Sequence, residues 1–192
     1  MDYLIIYAHP NPKSFNHAVK ETVESKLKEK SKSFKTRDLY ALGFEPVMKP
    51  DDFIAIQQGT HLPDVKEEQQ LIADAKRLIL IHPIWWYSMP AILKGYVDRV
   101  FSYGFAYTQT EEGIRPLLTD KEIIIFNTLG ETKEQYESSG ICPCLKKTIG
   151  GTFEFCGIKV LEHKFFFAVP YITDEDRKQM LREIENIIER IA

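Results

Sequence analysis

The chain has 192 residues, 44% of them hydrophobic and 28% charged, with a formal net charge of -3. That size suits one domain over residues 1–192, and the balance excludes a disordered chain and lacks the basic surplus that nucleic-acid phosphates require. The longest apolar region, 78–93, is broken by His82, Pro83 and Pro90, so no integral membrane segment is expected.

The first element is a near-continuous apolar run, Asp2 to Ala8, as in a strand buried on both faces. No basic region precedes it, so no secretory signal is read, and a cytoplasmic location is expected. Asn16 to Lys30 carries Ala18, Val19, Val23 and Leu27 near helical spacing, an amphipathic helix. Phe34 to Leu39 reads as a second strand. Tyr40 to Pro63 is a polar excursion with a short helix near Asp51–Gln58. Asp64 to Ala75 reads as a helix, with Asp64 as N-cap and Glu67 completing an Asp-x-x-Glu capping box.

Arg77 to His82 is a third strand. Pro90 opens a helix that runs to Val100 or Phe101. Glu122 to Asn127 is a fourth strand, and a helix follows around Leu145–Cys156. Lys159 to Val169 is a fifth strand region, and Asp174 to Ala192 is a terminal helix. Cys142, Cys144 and Cys156 are an odd count without framework spacing, which implies reduced thiols and no metal site.

Strands that alternate with helices give, through right-handed crossovers, an α/β three-layer sandwich. Five parallel strands with helices on both faces suit the flavodoxin-like order 2-1-3-4-5. Ligands in such sheets bind outside the carboxyl ends of the strands. Three segments are expected there. The first, His9 to Asn16, leads into a helix N-terminus that favours an anion, with Ser14 and Asn16 as donors and Lys13 adding charge. It also reads as a plain helix cap. It has no glycine, so neither common phosphate-loop pattern is present.

The second segment, His82 to Pro90, holds both tryptophans of the chain beside a tyrosine in Ile84-Trp85-Trp86-Tyr87. Planar side chains at a strand end suit a flat heteroaromatic ligand, or else an aromatic lid or dimer contact. The third, Asn127-Thr128-Leu129-Gly130 with Glu131 and Tyr136, offers polar groups to a ring edge, or forms a turn. A further aromatic cluster, Phe101 to Tyr107, reads as a substrate wall or an interface.

Several pieces in order along the chain carry a resemblance. They are His9-Pro10 with Ser14-Phe15-Asn16, Asp38-Leu39-Tyr40, and Pro83 through Tyr87. The most specific is Pro90-Ala91-Ile92-Leu93-Lys94-Gly95 with Asp98-Arg99-Val100-Phe101, then Gly104-Phe105-Ala106-Tyr107. Phe155-Cys156-Gly157 and Val160-Leu161 complete the set. The chain resembles the NAD(P)H:quinone reductase family, the DT-diaphorase-like group of flavodoxin-like flavoproteins, in its small bacterial form.

The resemblance implies a homodimer with one flavin per site and two-electron transfer from NAD(P)H to a quinone-like acceptor. His9, Phe15 and Asn16, with Ser14, would hold the flavin phosphates. Ile84, Trp85, Trp86 and Tyr87 would pack on the isoalloxazine, and Asn127, Thr128, Leu129 and Gly130 would meet its polar edge. Arg177 and Leu181 would lie near an adenine, which favours FAD over FMN. Tyr107 would line the acceptor pocket.

Asn127-Thr128-Leu129-Gly130 stands where the family has Thr-Thr-Gly-Gly. Tyr136 matches, with a one-residue shift, the family tyrosine that manages charge during hydride transfer. Cys142 falls at or near the partner histidine, and Gln109 replaces a second pocket tyrosine. A cysteine does that proton work only with a depressed pKa. The expected reaction is ping-pong. The alternative is a regulatory flavoprotein subunit of a potassium efflux system.

Overall fold

Tyr3–Tyr7 (β1) is buried along its whole length: a strand flanks it on either side and helices cover both of its faces. A computed structural model, which describes residues 1–192, places it second in a five-stranded parallel sheet. The other members are Phe34–Asp38 (β2), Arg77–Pro83 (β3), Glu122–Thr128 (β6) and Lys159–Phe166 (β7). The sheet order is β2-β1-β3-β6-β7. Between β3 and β6 the chain makes an antiparallel hairpin, Tyr107–Thr110 (β4) with Gly113–Pro116 (β5). The five strands expected in the order 2-1-3-4-5 are the members of this sheet; the hairpin was not among them, because its two short polar strands carry no apolar alternation.

Period-two alternation sends successive side chains to opposite faces. Tyr3, Ile5, Tyr7, Ile79, Ile81, Ile124 and Phe126 meet Phe15–Glu29 (α1) and Asp174–Ile191 (α8) through Val19, Val23, Leu27, Ile184 and Ile188. Leu4, Ile6, Leu78, Leu80, Ile123 and Ile125 meet the opposite layer. That layer comprises Pro50–Gln57 (α2), Pro63–Asp74 (α3), Ala91–Val100 (α4), Lys133–Ser138 (α5), Ile141–Leu145 (α6) and Gly151–Phe155 (α7). A π-helical turn, Lys146–Gly150, joins α6 to α7 where one helix was expected. No helix is long and apolar enough to cross a membrane.

Asp64 is not the N-cap of α3. The helix starts one residue earlier, with Pro63 in its first turn and Leu62 at the cap. Proline fits there because first-turn amides lack helical acceptors anyway. The Asp64 carboxylate instead accepts from Arg99 Nη1 at 2.7 Å.

Two details position the site. The β6–β7 register runs from Ile123↔Val160 to Ile124↔Glu162, which leaves Leu161 as an extra residue in β7. Gly95 of α4 lies against the excursion: a Cβ there would stand 2.1 Å from the Pro46 carbonyl oxygen. Because that atom is backbone, relief requires the excursion to move. Gly95→Ala should therefore lower the unfolding free energy by ~1–3 kcal/mol, measured by urea denaturation. An unchanged midpoint would refute this close packing.

Candidate active site

The carboxyl edge of the sheet gathers the three expected segments. In the first, Ser14 caps α1, its Oγ accepting from the His17 amide at 3.2 Å. His9 Nδ1 accepts from the Asn11 amide at 3.1 Å, and Asn11 Oδ1 accepts from the Lys13 amide at 2.9 Å. These bonds fix the glycine-free loop. The Phe15 and Asn16 amides have no acceptor within the chain. Such orphan donors at a helix start favour an anion. Burial pulls the His9 imidazole below its ordinary value, which leaves it neutral at physiological pH.

Asn16 is buried, and its side chain bridges the sheet edge: Nδ2 donates to Thr128 Oγ1 at 2.7 Å. Its Oδ1 is buried without any donor in the protein. Phe15 turns inward and meets Phe166 edge-on at 6.3 Å.

The second segment is a tight two-residue turn. Trp85 and Ser88 exchange both backbone hydrogen bonds at 3.0 Å, and Trp86 and Tyr87 take positive φ of 49° and 57°. Left-handed backbone at two non-glycine residues is costly and concentrates at functional sites. Trp86 is 97% exposed at the tip, while Ile84 is buried. The Trp85 ring lies 5.8 Å from the His9 ring, and Tyr87 lies 6.3 Å from Tyr136.

The third segment departs from expectation in which atoms face outward. Asn127 has no solvent exposure, and its amide is engaged by His82 and His163. Leu129 is buried and spends its amide on the Phe166 carbonyl at 2.8 Å. Neither the Asn127 side chain nor the Leu129 amide is therefore free for a ligand. Thr128, whose carbonyl accepts from the Ile84 amide at 2.8 Å, and the open Gly130 remain at the edge.

Tyr136 lines a cavity of about 130 Å³ with Tyr87, Glu131, Gln135, Ser139 and Ile141. Burial, helped by Tyr87 and Glu131, raises its phenol above the ordinary value. Burial also raises the Cys142 thiol. Cys142 thus stays protonated at neutral pH and lacks the depressed pKa that proton work would need.

Three expected residues belong to other segments of the chain. Tyr107 lies in an apolar groove of about 520 Å³, with Phe53, Phe101, Tyr103 and Phe155 among its walls. Arg177 caps the chain before α8, its Nε and Nη2 donating to Val169 O at 3.2 and 3.1 Å, with Nη1 on Asp174. Leu181 packs against the α1/α8 core. The engagement of Asn127 by His82 and His163 was not expected from the sequence. A histidine inside a strand otherwise apolar, as at Leu78–Ile81, was the available signal.

A family model described as the flavodoxin-like fold matches residues 1–188. The chain belongs to the flavodoxin-like family. Within it, an uncharacterised NAD(P)H oxidoreductase of Haemophilus influenzae is 36% identical over 184 residues, covering 94% of this chain and 91% of the relative. Human ribosyldihydronicotinamide dehydrogenase (quinone) is 33% identical over 199 residues, covering 93% and 86%. The solved NAD(P)H:quinone oxidoreductase of Methanothermobacter marburgensis matches this flavodoxin-like chain with a TM-score of 0.90 at 30% identity, covering 100% of this chain and 99% of that one.

Proposed function

We propose that this chain is an NAD(P)H dehydrogenase (quinone) that holds a flavin at the carboxyl edge of its sheet. The observation that carries the reading is the convergence there of unpaired helix-start amides and a strained aromatic turn, joined through Asn16 and Thr128. The names of the similar proteins supply the reaction class.

The residues present fit such a cofactor. The Phe15 and Asn16 amides would hold its phosphate, with His9 and the Ser14 hydroxyl beside them. A polyol chain would supply the donor that buried Asn16 Oδ1 lacks. Trp85, Trp86 and Tyr87 would cover the ring, and Gly130 with the Thr128 edge would meet its polar side. Arg177 and Leu181 would flank the adenine of FAD. A bound flavin supplies the two-electron chemistry between NAD(P)H and the acceptor.

Tyr136 keeps its proton at neutral pH and serves as a donor to negative charge that develops near Tyr87. Tyr107 would line the acceptor space. A second copy of the chain is the partner in this reading. The exposed Phe53 and Phe155 beside the Tyr107 groove give it an apolar surface to cover.

Purified protein should show a flavin spectrum, and chromatography of the released cofactor should give FAD rather than FMN. Double-reciprocal plots with NADH and a naphthoquinone should be parallel, because both substrates use one space in turn. A colourless protein that takes up neither flavin would overturn the proposal, and intersecting lines would overturn the shared space.

A further inference from the structure

Behind the site lies a run of polar side chains, His82 and Asn127 buried and His163 half-buried, that the functional reading leaves unused. His82 and Asn127 are register partners across β3 and β6, and neither has any solvent exposure. His163 of β7 pairs with Ile125, two residues from Asn127, and so shares its face. His82 Nδ1 is 2.8 Å from the Pro83 carbonyl. A carbonyl only accepts, so Nδ1 carries the proton and Nε2 keeps a lone pair.

That lone pair accepts from Asn127 Nδ2 at 2.9 Å. The same nitrogen points at the His82 and Phe126 carbonyls, both at 3.3 Å, which fixes the amide's orientation. Asn127 Oδ1 is then left to accept from His163 Nε2 at 2.7 Å. Each proton has one place. Burial holds His82 at about 4 and His163 at about 3, so both rings are neutral at physiological pH.

We propose that His82 and His163 are positioning residues that clamp Asn127 and thereby set the two site loops on either side of it. The proposal rests on the flavin reading above. Its basis is where the clamp attaches. The residue after Asn127 receives Asn16 from the α1 face and gives its carbonyl to Ile84. Asn127 is gripped from the opposite face, so the end of β6 is pinned on both sides. The residue after His82 leads directly into the turn that holds Trp86 and Tyr87 at positive φ. The clamp does this with uncharged groups.

The test compares native protein with His163→Leu, His163→Gln and Asn127→Asp. In ¹⁵N-histidine NMR at pH 7, assigned with the His163→Gln and His82→Gln variants, native His82 should be neutral with its proton on Nδ1. His163 should be neutral with its proton on Nε2. His163→Leu strands a buried acceptor and should weaken uptake of added FAD ~5- to 100-fold, with a shifted flavin absorption band. His163→Gln, whose amide N–H can replace Nε2–H, should recover most of the affinity. Asn127→Asp sets a carboxylate against both rings and should bring a histidine titration into the neutral range, making flavin affinity pH-dependent where the native affinity is not.

Reversed tautomers, a charged imidazole at pH 7, or His163→Leu with native affinity and spectrum would each overturn the clamp. Should His163→Leu fail to fold, a pH-independent Asn127→Asp would overturn it. A native protein that takes up no flavin sinks the cofactor reading and the positioning role together. Native uptake with unaffected variants sinks the positioning role alone.

Discussion

Replacing Arg99 with methionine should lower the unfolding free energy by ~3–5 kcal/mol, the cost of leaving a buried charge without its partner. Arg99 and Asp52 are both about 4% exposed. Arg99 Nε donates to Asp52 Oδ1 at 3.0 Å, and Nη1 donates to the Glu45 carbonyl at 2.8 Å and to Asp64 at 2.7 Å. One guanidinium of α4 therefore holds the segment before α2, α2 itself and the start of α3. Asp52 Oδ2 also takes the Lys49 amide at 2.8 Å, so its carboxylate cannot simply swing to solvent without opening the α2 start.

Urea unfolding of Arg99→Met measures the loss. The double variant Arg99→Met/Asp52→Leu should recover part of it, because it removes the stranded buried carboxylate but still leaves the Lys49 amide and the Glu45 carbonyl without their partners. A single variant within ~1 kcal/mol of native, as for exposed pairs, would refute the buried character of this tie. Because α2 places Phe53 and Ile56 in the wall of the Tyr107 groove, the proposed acceptor space, the KM for a naphthoquinone should also rise.

The second large effect is on acid stability. His82 and His163 titrate from an ordinary 6.5 down to about 4 and about 3 in the folded chain. Between those values the unfolded chain binds more protons, so stability rises with pH. The contribution is fully present above pH 6.5 and is lost progressively as pH falls toward the folded values. By pH 5 the loss amounts to roughly 2 kcal/mol from each ring.

The carboxylates held below their ordinary values, such as Asp2 and Asp64, lose their contribution only at lower pH. The window from pH 6.5 to 5 therefore belongs to the histidines. The urea midpoint should fall across it in native protein and stay flatter in His163→Gln. A native midpoint constant from pH 7.5 to 5 would show that the rings are not buried and neutral.

Most strand and helix positions were legible because burial imposes a period. Leu78–Ile81 reads as a strand covered on both faces, and Ile184, Ile187 and Ile188 read as one face of α8. What local pattern could not reach depends on atoms distant in sequence. Asp64 looked like a cap until Pro63 took the first turn and Arg99 took the carboxylate. The β4–β5 hairpin buries too little to be patterned.

At the site, the meeting of the His9, Trp85 and Thr128 segments follows from strand order alone. Which side of Asn127 faces inward does not. It needs the register of three strands, including the extra residue in β7, and no window of sequence contains that.

That extra residue makes the buried clamp a matter of counting. Leu161 is the one position of β7 opposite no residue of β6. Deleting a single codon there would keep the reading frame and the flanking sequence, yet shorten the strand by one step. Restoring regular pairing from Val160 onward would leave His163 opposite Ile125, since the deletion removes only the surplus position. Filling the bulge without a deletion would instead advance Glu162 to that place and carry His163 to the other face of the sheet. Insertions and deletions near residue 161 are thus not equivalent: a lineage could lose the bulge by shortening and keep its imidazole, whereas a slip of the strand at constant length would trade that imidazole for a carboxylate.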